Sequence, residues 1–436
     1  MTFRNTRRGV TFRNTRRGVN PRSALMFGAG NVGRGFLGQL FSESGYEVVF
    51  VDVDEPLLAA LNASGSYPIH LVDNEHTEEV IVSPVRALHA RQVPEVAAAL
   101  AEASIAATAV GARALPFIAP LVAAGVELRA RGGVEQPLTR PESGGLTRPE
   151  SGGLTRPESG GLNIIICENL KGAASVFRQM VSEHVPAASQ AYFQSHIGFV
   201  DTVIGRMVPP PTPEMRQKDP RLIAVESYKE LPVERQGFIG PVPTIVGMVA
   251  CDNFPAYTAR KLYIHNCGHA MLAYLGYLRG HTFGYEALAD PLIRPYFELA
   301  LGESQAGIVA AYGVSADWLA QHRADLTRRF ANRALGDTIF RLGRDPLRKL
   351  AANDRLVGSA RLAEKAGITP QYLSWGIAAA YCFDPAEDSL AVALQERLDK
   401  DGLGPVMAEV SGLLLGEPLA ALVEEHYRAL RRGQWL

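Results

Sequence analysis

Ala24-Leu-Met-Phe27-Gly28-Ala-Gly30-Asn31-Val32-Gly33 is the stretch whose reading decides the fold. Four apolar residues predict a short strand, and the glycines follow without a gap. Arg34–Ser44 has helical character. Val48-Val-Phe-Val51 predicts a second strand that ends in Asp52, 24 residues after Gly28. Each part has a physical task. Gly28 permits the tight turn, Gly30 lets a pyrophosphate approach the backbone, and Gly33 lets helix and strand pack closely. The helix start at Asn31 and Val32 offers unpaired N–H groups to phosphate. Asp52 accepts hydrogen bonds from a ribose hydroxyl and repels a 2′-phosphate, which predicts NAD over NADP. With strand, turn, helix, second strand and terminal acid in order, the segment predicts dinucleotide binding; a glycine-rich turn without a ligand is the alternative.

Further strands extend the same half. Ile105–Val110 predicts one, and its end, Thr108-Ala-Val110-Gly111, is expected to face the cofactor at the carboxyl edge of the sheet. Asn163-Ile-Ile-Ile-Cys167 predicts another, followed by Glu168-Asn169. Asn169 is either a ligand-binding amide at a strand end or the N-cap of a helix over 170–181.

From about Asn253 the pattern turns helical, with apolar residues at helical spacing through Ala270–Leu278, Pro295–Leu301 and Leu390–Leu398. Lys261-Leu-Tyr-Ile-His-Asn266-Cys-Gly-His269 lies at the start of this half. On a regular α-helix Asn266 is about 140° and His269 about 80° from Lys261, so all three fit one wide face. That face is expected to line a cleft between domains, where small-molecule sites prefer to lie. Cys267 points about 200° away from His265 and His269, and no H-E-x-x-H occurs, so no metal is expected. A basic cluster, Arg344-Asp-Pro-Leu-Arg348-Lys349, suits phosphate or a solvated helix start.

The bulk properties exclude several classes. The net charge is -1, so nothing draws the chain as a whole to nucleic acid or membrane. Residues 1–22 carry seven arginines and no acid, which leaves −8 for the rest. Four cysteines are widely spread with no C-x-x-C, which fits a reducing, cytoplasmic setting rather than a disulfide framework. No run of 18 apolar residues appears, so no membrane partner is expected. Two exact repeats stand outside the fold pattern: Thr2–Val10 recurs as Thr11–Val19, and LTRPESGG occurs three times through 138–161. The first reads as a disordered extension, with a presequence or a nucleic-acid-binding arm as alternatives. The second reads as a surface-loop insertion.

The separated motifs together resemble the polyol-specific long-chain dehydrogenase/reductase family. Lys261-x4-Asn266-x2-His269 is similar to its signature. Phe27-Gly-Ala-Gly-Asn-Val-Gly-Arg-Gly-Phe36, Asn163-Ile-Ile-Ile-Cys-Glu-Asn169, His196-Ile-Gly-Phe-Val-Asp201, Arg206-Met-Val-Pro-Pro210, Gly343-Arg-Asp-Pro-Leu-Arg-Lys-Leu350 and Gly376-Ile-Ala-Ala-Ala380 extend it. The resemblance implies an α/β chain: a Rossmann-type dinucleotide-binding domain at 23–250 followed by a mostly α-helical substrate domain at 251–436. It implies metal-independent interconversion of mannitol 1-phosphate and fructose 6-phosphate with NAD. Lys261 would be the general base, Asn169 and Asn266 would hold the reacting oxygen, and His269 would orient the substrate. Arg206, Arg344, Arg348 and Lys349 are the expected phosphate contacts, and a monomer is the expected state. His265 replaces an apolar residue of the relatives. Thr258 and Ala259 stand where an acid often precedes the lysine. Two other readings stay open: reduction of an unphosphorylated polyol or hexuronate, and a non-catalytic NAD-binding sensor.

Overall fold

The computed structural model describes residues 22–132 and 161–434. Apart from Arg22 and Gly161, the Arg-rich extension and the triple repeat lie outside the described residues. The chain divides into two compact units, one ending at Phe254 and the other beginning at Pro255.

The first unit contains strands β1 (Ser23–Phe27), β2 (Glu47–Asp52), β3 (Tyr67–Val72), β4 (Thr77–Val82), β5 (Val85–His89), β6 (Ile105–Thr108), β7 (Leu162–Ile166), β8 (Ile197–Asp201), β9 (Ile223–Val225), β10 (Leu231–Glu234) and β11 (Met248–Cys251). Six of them form one sheet in the order β5-β2-β1-β6-β7-β8, with every pairing parallel. The strand order reverses between β1 and β6, and ligands of open α/β sheets bind at such a reversal, beyond the carboxyl ends of the strands. The fold is a Rossmann-type domain, as the glycine stretch predicts.

The sheet is apolar on both faces. Ala24 and Met26 join the core on one side, while Leu25 and Phe27 join the core on the other. That alternation explains why β1 reads as an unbroken apolar run. A second sheet, β4-β3-β9, was not anticipated. It packs on the helix that follows the glycine turn. A Cβ on Gly35 would meet Val208 and Val225 at 2.8 and 2.9 Å, and one on Gly38 would meet the Tyr67 hydroxyl at 2.2 Å. These glycines allow a close approach that no larger residue permits.

The second unit is helical among the described residues. Its central helix, Cys267–Leu278, is buried over most of its length. Met271, Leu272, Tyr274 and Leu275 are almost wholly buried, each contributing roughly 1.5–3 kcal/mol of apolar burial. The helix Gln371–Tyr381 crosses it at Gly376, where a Cβ would meet the Met271 sulfur at 2.1 Å. Helices Ile293–Tyr312 and Ser389–Asp401 contain the two other stretches with helical spacing. No helix among the described residues is long and apolar enough to cross a membrane.

Candidate active site

The glycine turn does what its three glycines require. Gly28 has φ +99°, and a Cβ there would lie 2.4 Å from the Ala109 carbonyl oxygen. A Cβ on Gly33 would lie 1.9 Å from the Gly28 oxygen, whereas one on Gly30 would meet nothing within 4 Å. Gly30 is exposed and opens on free space, so a phosphate can reach its backbone. Asn31 and Val32 begin the helix beside it and are half-buried.

Asp52 is tied to this turn. Its Oδ2 accepts the Ala29 amide at 2.6 Å, and its Oδ1 accepts the amides of Val53 and Asp54 at 2.7 and 3.2 Å. A carboxylate has about four lone-pair sites, so capacity remains for a ribose hydroxyl. These features together fit a dinucleotide.

At the next strand end the outcome differs from the expectation. Thr108 is wholly buried, and its Oγ1 has no partner among the described residues. The amides of Val110 and Gly111 donate to the two carboxylate oxygens of Glu168, at 2.9 and 2.8 Å. Those N–H groups are therefore engaged by protein rather than turned outward. Glu168, buried at 8% exposure, is a clamp that the strand reading passed over; the signal was an acid flush with a buried strand end. Asn169 is exposed. The helix after it starts only at Ala173, with the Asp201 carboxylate accepting the Ala174 amide at 2.8 Å. Asn169 is therefore not the N-cap, and its amide is left at the strand end.

In the second unit the segment holding Lys261 is not a regular α-helix. Arg260–Asn266 is a π-helix that runs into the α-helix Cys267–Leu278. In a helix closed by i→i+5 bonds, residues five apart are roughly one turn apart. Lys261 and Asn266 are five apart, so their angular separation is smaller than the roughly 140° expected of a regular α-helix. Lys261, Asn266 and His269 are each half-buried.

A widened turn leaves backbone carbonyls short of donors, and here side chains supply them. Ser304 Oγ donates to the Tyr263 carbonyl at 2.5 Å. Ser359 Oγ donates in turn to Ser304 Oγ at 2.7 Å and lies 3.4 Å from the same carbonyl oxygen, and both serines are wholly buried.

Around this turn the chemistry is cationic and the imidazoles are neutral. His269 stacks on Phe330, with ring centroids 4.1 Å apart, and His265 meets both rings edge-on at 4.9 and 5.5 Å. Burial, then the nearby Lys261, holds both histidines well below the usual imidazole range. Arg341, Arg355 and Arg329 add to the effect on His269. Four cations thus act on one neutral ring. A crevice beside His269 is lined by Phe330, Arg329, Asn332 and Asp337. Arg341 pairs with Asp337 at its edge. Arg355 lies near the basic cluster in sequence, whereas nothing in the spacing of Arg329 and Arg341 marks them. Among the described residues no group of three or more metal-binding side chains occurs.

The basic cluster divides into three situations. Arg344 is exposed. Arg348 donates to Asp345 at 2.8 Å and lies 4.0 Å from Asp354. Lys349 is buried, donates to the Arg344 carbonyl, and has its pKa lowered to about 7, first by burial and then by Arg355 and Arg348. Arg206 is corrected. It is 4% exposed, and its guanidinium donates to the Glu226 and Gly35 carbonyls and to Gln39 at 2.7–2.9 Å. It braces the helix after the glycine turn, with these donors spent on protein acceptors rather than turned toward a substrate.

Comparison with known proteins follows the same division. The mannitol dehydrogenase Rossmann domain matches residues 22–139 and 154–247, and the mannitol dehydrogenase C-terminal domain matches 253–429. Mannitol-1-phosphate 5-dehydrogenase of Bacillus velezensis is 36% identical over 92% of this chain and 98% of its own length. That of Geobacillus thermodenitrificans is 36% identical over 94% of this chain and all of its own. Among solved structures, Pseudomonas fluorescens mannitol 2-dehydrogenase, a ternary complex with NAD and D-mannitol, shares the fold with TM-score 0.67 at 16% identity, covering 94% and 92% of the two chains. A D-sorbitol dehydrogenase shares it with TM-score 0.74 at 15% identity, covering 94% and 93%.

Proposed function

The chain belongs to the mannitol dehydrogenase family, and from that premise we propose that it interconverts mannitol 1-phosphate and fructose 6-phosphate with NAD. The observation that carries the reading is the π-helical turn: a lysine and an amide five residues apart, followed by a neutral histidine on which four cations act. A local excess of positive charge favours a phosphorylated substrate over a neutral polyol.

The open backbone at Gly30, the helix start at Asn31 and Val32, and Asp52 would hold the cofactor diphosphate and ribose. When bound, NADH supplies hydride to the substrate carbonyl carbon. Lys261, as the ammonium, gives a proton to the carbonyl oxygen as that bond is reduced. In the oxidative direction the neutral amine takes the hydroxyl proton. Asn266 donates its amide to the same oxygen, where negative charge develops, and Asn169 is assigned a second such donation. His269, being neutral, both donates and accepts one hydrogen bond, which suits it to orient a substrate hydroxyl. Arg348 and Lys349, with Arg344, are assigned to the phosphate.

The test is NADH consumption with fructose 6-phosphate, with fructose and fructuronate run beside it. Turnover confined to the phosphate supports the assignment. Equal turnover of fructose moves the substrate to an unphosphorylated polyol, and silence on all three removes the catalytic reading.

A further inference from the structure

Below the glycine turn lies a buried cation that the mechanism above does not use. Arg34 follows Gly33 directly and is 5% exposed. Its Nε donates to the Ala29 carbonyl at 2.6 Å, inside the turn itself. Its Nη1 donates to the carbonyls of Arg221 and Pro220 at 2.6 and 3.2 Å, in the loop that leads into β9. Its own carbonyl accepts the Tyr67 hydroxyl at 2.8 Å.

Among the described residues its side-chain hydrogen bonds all go to neutral carbonyl oxygens. Asp52, Asp54 and Asp219 lie within electrostatic reach, but each is committed elsewhere. Asp52 accepts the Ala29 amide, Asp54 caps Leu57, and Asp219 pairs with Arg221 at 2.8 Å. Burial draws the Arg34 pKa below the ordinary arginine value. A buried charge without a direct counterion is costly, and a ligand carrying negative charge relieves that cost. Arg34 and Asp52 also grip opposite ends of one residue: the guanidinium holds the Ala29 carbonyl, and the carboxylate holds its amide. The residue next to the open Gly30 is thus held at both of its peptide groups.

We propose that Arg34 is a positioning residue for the cofactor diphosphate, holding the Ala29–Gly30 turn in register and placing a buried positive charge beneath it. This rests on the assignment of NAD to the turn. The guanidinium does so because a planar fork can bond two separate carbonyl groups at once, and it ties the turn to the second sheet through the 220–221 loop. Arg206, which holds the Gly35 carbonyl, braces the same helix one residue further on.

The experiment compares the parent chain with Arg34→Gln and Arg34→Lys. Dissociation constants are measured by titration for NADH and for ADP-ribose, which carries the diphosphate without nicotinamide, and steady-state constants are taken with fructose 6-phosphate. In Arg34→Gln both ligands should weaken by similar factors of about tenfold or more. KM for NADH should rise, while kcat and the KM for fructose 6-phosphate move less than about twofold. Arg34→Lys keeps the charge but cannot span both carbonyl groups, so it should fall between the two. A folded Arg34→Gln that binds ADP-ribose as the parent does, or that loses kcat alone, overturns the proposal. If Arg34→Gln does not fold, unchanged ADP-ribose binding by Arg34→Lys overturns it equally. A parent chain that binds neither ligand removes the NAD assignment itself, an outcome distinct from a parent that binds and variants that match it.

Discussion

Ser304 donates its hydroxyl to the carbonyl of Tyr263, two residues beyond Lys261, at 2.5 Å. The bond joins the helix Ile293–Tyr312 to the π-helical turn and satisfies an oxygen that the turn's own geometry leaves short. Removing it exposes the cost of a buried carbonyl, about 1–3 kcal/mol. Ser304→Ala should therefore lower stability by that amount in urea and reduce kcat, because the relative placement of Lys261 and Asn266 depends on the turn. Ser359 donates to Ser304 and lies within 3.4 Å of the same carbonyl, which it can take over when Ser304 is removed, so Ser304→Ala and Ser359→Ala should be non-additive when combined. Strict additivity in a double-mutant cycle would show that the two hydroxyls act separately.

Lys261→Ala should reduce kcat by about 10²–10⁴, the range of a lost general acid–base, and leave the dissociation constant for NADH within about twofold. Asn266→Ala should cost about 10²–10³ in kcat. Single-turnover measurements check both. Lys261→Ala with kcat unchanged moves the proton transfer to another group.

Asp52 has two tasks, and two substitutions separate them. Asp52→Asn keeps an acceptor for the Ala29 amide but loses the charge, so the preference for NAD over NADP should shrink while NAD binding is retained. Asp52→Ala also releases the turn and should weaken both cofactors. The ratio of kcat/KM for the two cofactors is the readout, and an unchanged ratio in Asp52→Asn removes the ribose assignment.

Lys349 gives a pH signature. Its pKa is lowered to about 7, so its charge is present below that pH and lost as pH rises through it. If it contacts the substrate phosphate, KM for fructose 6-phosphate should rise between about pH 7 and 9, and binding should take up a fraction of a proton. Lys349→Met should raise KM at pH 6.5 and flatten the alkaline limb. The same shift has a stability consequence of opposite sense. The unfolded lysine stays protonated to about pH 10.4, so the unfolded state binds more protons above pH 7. Stability at this group should therefore increase with pH across that window.

Arg206 separates bracing from binding. Arg206→Met should lower the denaturation midpoint, since buried carbonyls of Glu226 and Gly35 lose their donor. It should leave the KM for fructose 6-phosphate within about twofold. A selective rise in that KM would restore Arg206 to the substrate set.

What the sequence determined by itself is what depends on covalent spacing. Gly28, Gly33 and Asp52 announce the turn because φ, close approach and a strand-end acid are local requirements, and the turn dictates the order of strand and helix around it. Lys261, Asn266 and His269 lie within nine consecutive residues, so their presence on one helical segment was legible as well. Their angular arrangement was not, because the π-helical turn is supported by Ser304 and Ser359, which lie far along the chain. Nor was the clamp of Glu168 on Val110 and Gly111, or the burial of Arg206 among carbonyls. The second sheet also escaped notice, since its short strands acquire meaning only by packing on Gly35 and Gly38. Only the tertiary structure decided which cations converge on His269. Arg329 and Arg341 look like any other surface arginines in one dimension, and Arg355 reads only as a neighbour of the basic cluster. Their electrostatic effect is set by distance and burial, and those exist only once the helices have packed.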